Sequence, residues 1–423
     1  MDPITQAEIK RNFKFNFTTN LIDGTFFWLG SSFYATRTIA PLFLSYLTDN
    51  TLVFGILATI VSTGWLLPQL FTAGWVQRTP LKKYFPVTIG FFTERLPILL
   101  LPLAAWIALR SESWAAVLFL ILIGWHVIGA GVVAVGWQDM LAKIFPVEWR
   151  GRFFGITNFA GNATGILGAS AAAWMLERFP YPTNFMYAFG AGGLFIFLSW
   201  IFLALTREPI SPPKPASPDQ PPYWRSLVPI LQNDLNYRRY LVSQMVTAVG
   251  GMALGFYTIY ALRQWQVSDG MVSLFTTSLL IGTAGANLLF GWLGDRYGHK
   301  FIMEISTIAL VLATGVALLA PTPEYFYLVF ALQGANNAGF ILSGISIVFE
   351  FCEEDVRPTY IGLTNSMIGI FAGLSPLLGG YLAENASFTW LFSVSLAFSL
   401  IGLLLLHFRV REPRGSNHKE SPL

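Results

Sequence analysis

Cysteine is almost missing from this chain: Cys352 stands alone among 423 residues. A disulfide within the chain and a multi-cysteine metal centre are thereby excluded. Charge is scarce too. Lys, Arg, Asp and Glu supply 12% of the sequence, against ~25% in an average soluble domain. No GxxxxGK[ST] loop, HExxH, GxSxG or paired-cysteine motif occurs, and no large soluble domain is present to host ATP hydrolysis. These absences argue against an enzyme, a resident cofactor or metal, and a pump with its own nucleotide site. Residues 1–16 are polar and lack the short apolar core and small-residue cleavage site of a signal peptide, so the first apolar segment is expected to remain in the mature protein.

What the chain has instead is apolar length. It is 54% hydrophobic and 16% aromatic, with a mean hydropathy of +0.55. Twelve segments are apolar enough for spanning helices of about 20 residues. They are 18–47, 51–76, 84–109, 113–143, 151–176, 183–206, 238–263, 270–294, 301–320, 324–350, 358–383 and 387–408, called spans 1 to 12 below. Helix is the expected state, because an isolated strand leaves its backbone unpaired in lipid.

The basic residues orient the spans. Twenty-one Lys and Arg fall on one side, three (Arg110, Arg178, Arg263) on the other, and Arg37 and Arg95 within spans. The positive-inside rule makes the rich side cytoplasmic. A multi-pass protein of the cytoplasmic membrane is expected, with both termini inside. Residues 1–206 then form a first six-helix bundle, 207–237 a cytoplasmic Pro-rich linker, 238–410 a second bundle and 411–423 a cytoplasmic tail. The linker holds eight of the 24 prolines and is extended and solvated over Pro209–Pro222. Tyr223–Leu231 reads either as a short amphipathic surface piece or as part of the tether.

The halves repeat each other. RGRFFGITN from Arg150 matches RPTYIGLTN from Arg357, and the same offset of 207 carries Leu167 onto Leu374 and Glu177 onto Glu384. Gly74-Trp75 recurs as Gly291-Trp292, and Lys83 falls on Lys300. Repeated halves commonly place a binding site at their interface near mid-membrane.

After span 8 the chain reads GWLGDRYGHK, Gly291 to Lys300. This loop resembles the signature of the major facilitator superfamily, with Gly291, Asp295, Arg296, Gly298 and Lys300 matching and His299 departing from it. The resemblance covers essentially the whole chain. It implies an all-α membrane fold of two pseudo-symmetric six-helix bundles around a cavity lined by spans 1, 4, 7 and 10. It also implies rocker-switch alternating access. The first-half loop, GWVQRTPLKK, departs from the pattern by placing Arg78 where the family usually has Asp. The resemblance brings this basic loop toward Glu350, Glu353, Glu354 and Asp355. It brings Asp295 and Arg296 toward Lys143, Arg150 and Arg152. Two inner latches of opposite polarity are expected, against the plainer reading of solvated loop charges. Span 11 carries Gly362, Gly369, Gly373, Pro376, Gly379 and Gly380. Close packing with a bend explains these better than an antiport motif.

Polar groups within spans are the candidate site. An ionisable residue at mid-membrane costs ~2.5–3.5 kcal/mol. Arg37 in span 1 either holds an anionic group or snorkels outward. Asp23, some 14 residues away and ~21 Å along a helix, is a candidate coupling residue or a first-turn charge. His126 in span 4 is a candidate for proton coupling or substrate contact, or else a structural imidazole. Asp139, lower on that span, is expected to pack on basic loop residues. Gln333, Asn336 and Asn337 form an i, i+3, i+4 stripe on span 10 and are the candidate substrate amides; Tyr257 and Tyr260 are weaker ones. Glu94 and Arg95 are neighbours that point ~100° apart on an α-helix, so each is expected to need its own partner, with Glu94 a second candidate for coupling.

The function read from all this is a secondary active transporter or facilitator of a small solute, with a proton or ion as candidate coupling partner and the bilayer as its environment. A transport-inactive sensor or scaffold on the same fold is the alternative. No nucleic-acid partner is expected.

Overall fold

The computed structural model describes residues 3–210, 229–344, 346–352 and 357–413. The described chain is helical throughout and contains no strand. Its helices are α1 (Pro3–Ser31), α2 (Ile39–Ser45), α3 (Thr51–Gly64), α4 (Leu67–Arg78), α5 (Leu96–Ala108), α6 (Glu112–Ile144), α7 (Val147–Arg178), α8 (Thr183–Ala204), α9 (Leu235–Gly250), α10 (Tyr257–Trp265), α11 (Asp269–Tyr297), α12 (His299–Leu319), α13 (Tyr325–Ser343), α14 (Ser346–Phe351), α15 (Arg357–Asn385) and α16 (Phe388–Arg409). Ten helical stretches among the described residues are long and apolar enough to cross a membrane. The expected spans 1 and 5 lie in α1–α2 and α7, which are helical but more polar. The expected linker falls largely outside the described residues, with residues 229–233 helical.

Prolines and glycines set the interruptions. The ring of Pro41 removes an N–H and clashes with the carbonyl four residues back, which is that of Arg37. The helix accordingly stops at Ser31, passes through a 3-10 turn (Ser32–Tyr34) and leaves Ala35–Thr38 unwound before α2. Span 7 breaks at a matching place: α9 ends at Gly250, and a 3-10 turn over Gly251–Gly255 precedes α10. The opening helix of each half is thus discontinuous. Span 3 begins as two π-helical turns, Phe85–Ile89 and Phe91–Arg95, before Pro97 in the first turn of α5. Side-chain caps start the helices beyond short turns: Ser111 accepts from Trp114 N, Asp234 from Tyr237 N and Ser387 from Trp390 N.

The chain divides into two compact units. The described residues of Met1–Asp49, Gly64–Ala216 and Ser268–Thr277 make the first; those of Asn50–Thr63, Ser217–Val267 and Ser278–Leu423 make the second. Each unit holds most of one sequence half and one helix end from the other.

Candidate functional site

Two helices that approach closely build the polar centre of the first unit. Pro97 has no N–H to give the Thr93 carbonyl. Gly129 of α6 comes up against that same carbonyl, and a Cβ at residue 129 would collide with it. This contact sets α6 beside the π-turn that carries Glu94 and Arg95. His126, one turn from Gly129, then places its Nδ1 2.8 Å from the Glu94 carbonyl.

Glu94 and Arg95 pair with each other, although their adjacency in sequence predicts separate partners. The physical reason is the winding: a π-turn spreads more residues over each turn, so successive side chains diverge less than the 100° of an α-helix. Both residues are buried. Arg95 also lies over the Phe27 ring at 5.5 Å and within Coulombic reach of Asp23, Tyr34 and His126. Ser199 of α8 donates to Asp23 Oδ1 at 2.5 Å. The Tyr34 ring meets His126 edge-on at 5.5 Å. Three residues singled out from sequence, Asp23, Glu94 and His126, therefore converge on one buried group, Arg95, whose Nε has no hydrogen-bond partner among the described residues. Arg37 is half-buried and sits in the unwound stretch that follows Tyr34.

The second unit places the amides of α13 differently. Gln333 is fully buried and donates Nε2 to the Leu254 carbonyl at 3.2 Å, which belongs to the break in span 7. Its Oε1 has no hydrogen-bond partner among the described residues. Asn336 donates to the Ser306 carbonyl at 2.8 Å, a helix-to-helix tie. Asn337 is half-buried. Tyr257 bonds Thr314 at 2.8 Å, and Tyr260 packs among Trp265, Phe326, Phe388 and Phe392.

The helix ends exchanged between sequence halves are held by matching clasps. In the second unit the first turn of α3 rests on α15. Thr51 gives both its N–H (2.8 Å) and its hydroxyl to the Glu384 carboxylate, and Thr59 donates to the Gly373 carbonyl at 2.9 Å. Gly55 and Gly380 allow the backbones to meet. In the first unit Ser268, just before α11, donates to Glu177 of α7 at 3.3 Å. Tyr46 donates to both oxygens of Asp269 at 2.8 and 2.9 Å, and Ser273 to the Ala169 carbonyl at 2.9 Å. Glu177 and Glu384 are the residues matched by the sequence repeat, and Thr51 maps onto Ser268 by the offset that maps Lys83 onto Lys300. The repeat has preserved a carboxylate facing a helix-opening hydroxyl in both halves.

Comparison with known proteins agrees with this architecture. Residues 240–423 match the family model of the Major Facilitator Superfamily. An uncharacterised MFS-type transporter of Methanocaldococcus jannaschii is 25% identical over 77% of this chain and 78% of its own length. Among solved structures, the nucleoside transporter NupG superposes with a TM-score of 0.70 at 13% identity, covering 93% of this chain and all of that one. The D-xylose-proton symporter reaches 0.67 at 14% identity, covering 96% and 99%. The chain is similar to the major facilitator superfamily in the sequence of its second half and in its fold. Multidrug resistance protein 3 of Bacillus subtilis is a more partial relative, 24% identical over 32% of this chain and 26% of its own length. Several other relatives are likewise spanned only in part.

The loops at residues 74–83 and 291–300 are each anchored within their own unit. Glu208, whose side chain is wholly buried, accepts from the N–H of Lys82 (2.9 Å), the N–H of Lys83 (2.7 Å) and Lys143 Nζ (2.7 Å). Lys143 also reaches the Pro80 carbonyl and Lys83 the Thr206 carbonyl. Burial pulls Lys83 below the usual lysine range, while the nearby Glu208 charge opposes that shift. Asp139 packs on the basic loop as expected, 3.4 Å from Lys82 Nζ. Asn16 exchanges two bonds with the Arg207 backbone, at 2.8 and 2.9 Å. Asn236 does the same for Arg411, at 3.0 and 2.8 Å. Glu412 meanwhile lies against Gly298, where a Cβ would sit 2.9 Å from its carboxyl carbon. Gly298 has φ +90°, which favours glycine on its own.

Of the residues named for the inner latches, Arg78 is exposed. Arg150 donates to the Phe145 and Ala142 carbonyls at the end of α6, satisfying orphan carbonyls of that helix. Arg296 is exposed over Trp292 and Tyr297. Glu353, Glu354, Asp355 and the Asp295 side chain lie outside the described residues. Sequence reasoning missed Glu208, Ser199 and the Tyr46–Asp269 bond. One signal was available: Arg-Glu-Pro closes both halves, at 207–209 and 411–413.

Proposed function

We infer that this protein is a secondary transporter or facilitator of a small solute, working by alternating access in the cytoplasmic membrane with both termini inside. The observation that carries this reading is the discontinuous opening helix of each half, with a buried, unsatisfied polar atom close to each break. Unwound backbone inside a membrane persists where it lines a cavity or meets a ligand. Arg95 Nε lies in the cluster that includes Tyr34, and Gln333 Oε1 lies on a side chain bonded to the span 7 break.

In this reading Arg37, His126, Gln333, Asn336 and Asn337 contact the solute. Asp23 and Glu94 are the coupling carboxylates, with Arg95 holding both as countercharge. Proton uptake by either carboxylate weakens its hold on Arg95 and changes what the guanidinium can offer a solute. The clasps at Glu177 and Glu384 open when the site faces outward. Arg78, Arg150, Asp295, Arg296, Glu353, Glu354 and Asp355 make the inner latches. Surface pairs are worth only ~0–1 kcal/mol each, which suits an equilibrium that has to run both ways.

Thermal unfolding of the purified protein against anionic and neutral solutes tests the site. The neutral set includes a nucleoside and a pentose; a short peptide completes the panel. A ligand at a hundred times its Kd stabilises by about 2.7 kcal/mol. A stabilising solute is expected, its effect lost in Gln333→Ala if neutral or in Arg37→Ala if anionic. Stabilisation that survives both substitutions removes these residues from the site.

A further inference from the structure

Several buried or half-buried lysines in and beside the two loops have a carboxylate partner. Lys82 has Asp139, Lys143 has Glu208 and Lys300 has Glu304. A cluster of three arginines does not. Arg238 and Arg239 in the first turn of α9 and Arg409 in the last turn of α16 rim a groove of about 300 Å³, and its remaining lining is Leu235, Val242 and Leu405. None of the three arginines has a carboxylate within 4 Å among the described residues. Among the described residues their hydrogen bonds are long ones at 3.5 Å, from Arg238 to the Leu231 carbonyl and from Arg239 to the Arg409 carbonyl.

Helix packing explains the groove. Gly250 meets Ser399 and Gly402 meets Thr247, so the two helices run close there. Toward the start of α9 and the end of α16 the bulk of Leu235, Val242 and Leu405 replaces those small residues and leaves a cleft between the helices. Leu235, Arg238, Arg239 and Val242 share one face of α9 by their i, i+3, i+4, i+7 spacing. Leu405 and Arg409 share one face of α16. The stretch Leu235–Trp265, which α9 opens, and α16 are each long and apolar enough to span a membrane, and Leu235 and Val242 are exposed. The arginines stand at the Lys- and Arg-rich end, with Val242 and Leu405 farther into their spans.

We propose that this groove binds one anionic phospholipid, its phosphate held by Arg238, Arg239 and Arg409 and an acyl chain lying along Val242 and Leu405. Guanidinium forks match phosphate oxygens in geometry and charge. A basic pocket between helices on the inner side of a membrane is suited to acidic head groups. The apolar floor selects a lipid over free phosphate, which has nothing to place there. The site does not depend on the transport reading.

The test is native mass spectrometry of the delipidated full-length protein with phosphatidylglycerol or phosphatidylcholine of identical chains, with inorganic phosphate in a third arm. Phosphatidylglycerol is expected to bind more tightly than phosphatidylcholine, and millimolar phosphate is expected not to displace it. Each Arg→Gln substitution at 238, 239 or 409 lowers the preference roughly fivefold, and the triple variant abolishes it. The single variant R409Q, at an exposed helix end, keeps the measurement readable should the triple variant fail to fold. Equal binding of the two lipids, a preference unchanged by R409Q, or displacement by phosphate overturns the assignment.

Discussion

Arg95→Met lowers the unfolding free energy of the purified protein by about 3–5 kcal/mol, the range for breaking a buried ion pair from one side. Two carboxylates lose their countercharge at once, Glu94 by direct pairing and Asp23 through the field of the guanidinium. Neither is at the protein surface. Ser199 continues to donate to Asp23 and His126 keeps its bond to the Glu94 carbonyl, but neither supplies a charge. The triple variant Asp23→Asn, Glu94→Gln, Arg95→Met removes every charge of the cluster and recovers most of that loss. Unfolding in a denaturing detergent series measures both. If Arg95→Met alone is as stable as the wild type, the cluster is not an ionic unit.

Glu208→Ala is the second large effect, about 3 kcal/mol by the same reasoning. The carboxylate is fully buried and serves two backbone N–H groups and Lys143. Alanine leaves the two N–H groups without an acceptor and Lys143 without its countercharge, and releases the loop that carries Arg78. Glu412→Ala is expected to cost less than half as much, because Glu412 is exposed whereas its counterpart is enclosed. Lys143→Met separates the charge from the backbone bonds: it retains the two amide contacts of Glu208, and its cost stays below that of Glu208→Ala. Equal costs for Glu208→Ala and Glu412→Ala contradict the anchoring role of Glu208.

Much of the fold was legible because a membrane imposes one requirement on the backbone and the sequence answers it directly. Apolar length marks the spans, and the echo of RGRFFGITN in RPTYIGLTN marks the repeat. What periodicity does not report is where a helix changes its winding. At 100° per residue Glu94 and Arg95 diverge, and Pro97 is the signal that this winding fails there. The break at Ala35–Thr38 has the same origin in Pro41. Asp23, Glu94 and His126 were legible as costly residues, but Arg95 as their common centre depends on α6 reaching Thr93 over Gly129. The sequence points Lys143 toward Asp295; its bond to Glu208 depends on the chain folding back after α8, which residue spacing does not encode.

The account rests on helix ends that clasp and release, and the most direct measurement is the reactivity of a residue inside a clasp. Ser273 is fully buried and bonded to the Ala169 carbonyl. Ser273→Cys, in a chain whose single native cysteine is removed by Cys352→Ser, is exposed in intact membranes to a charged thiol reagent that does not cross them. Alternating access predicts steady, time-dependent labelling that speeds up when Glu177→Gln or Tyr46→Phe weakens the clasp. A cysteine that stays unlabelled with and without those substitutions, while reacting fully once the protein is unfolded, means that the clasp does not open and contradicts the transport mechanism.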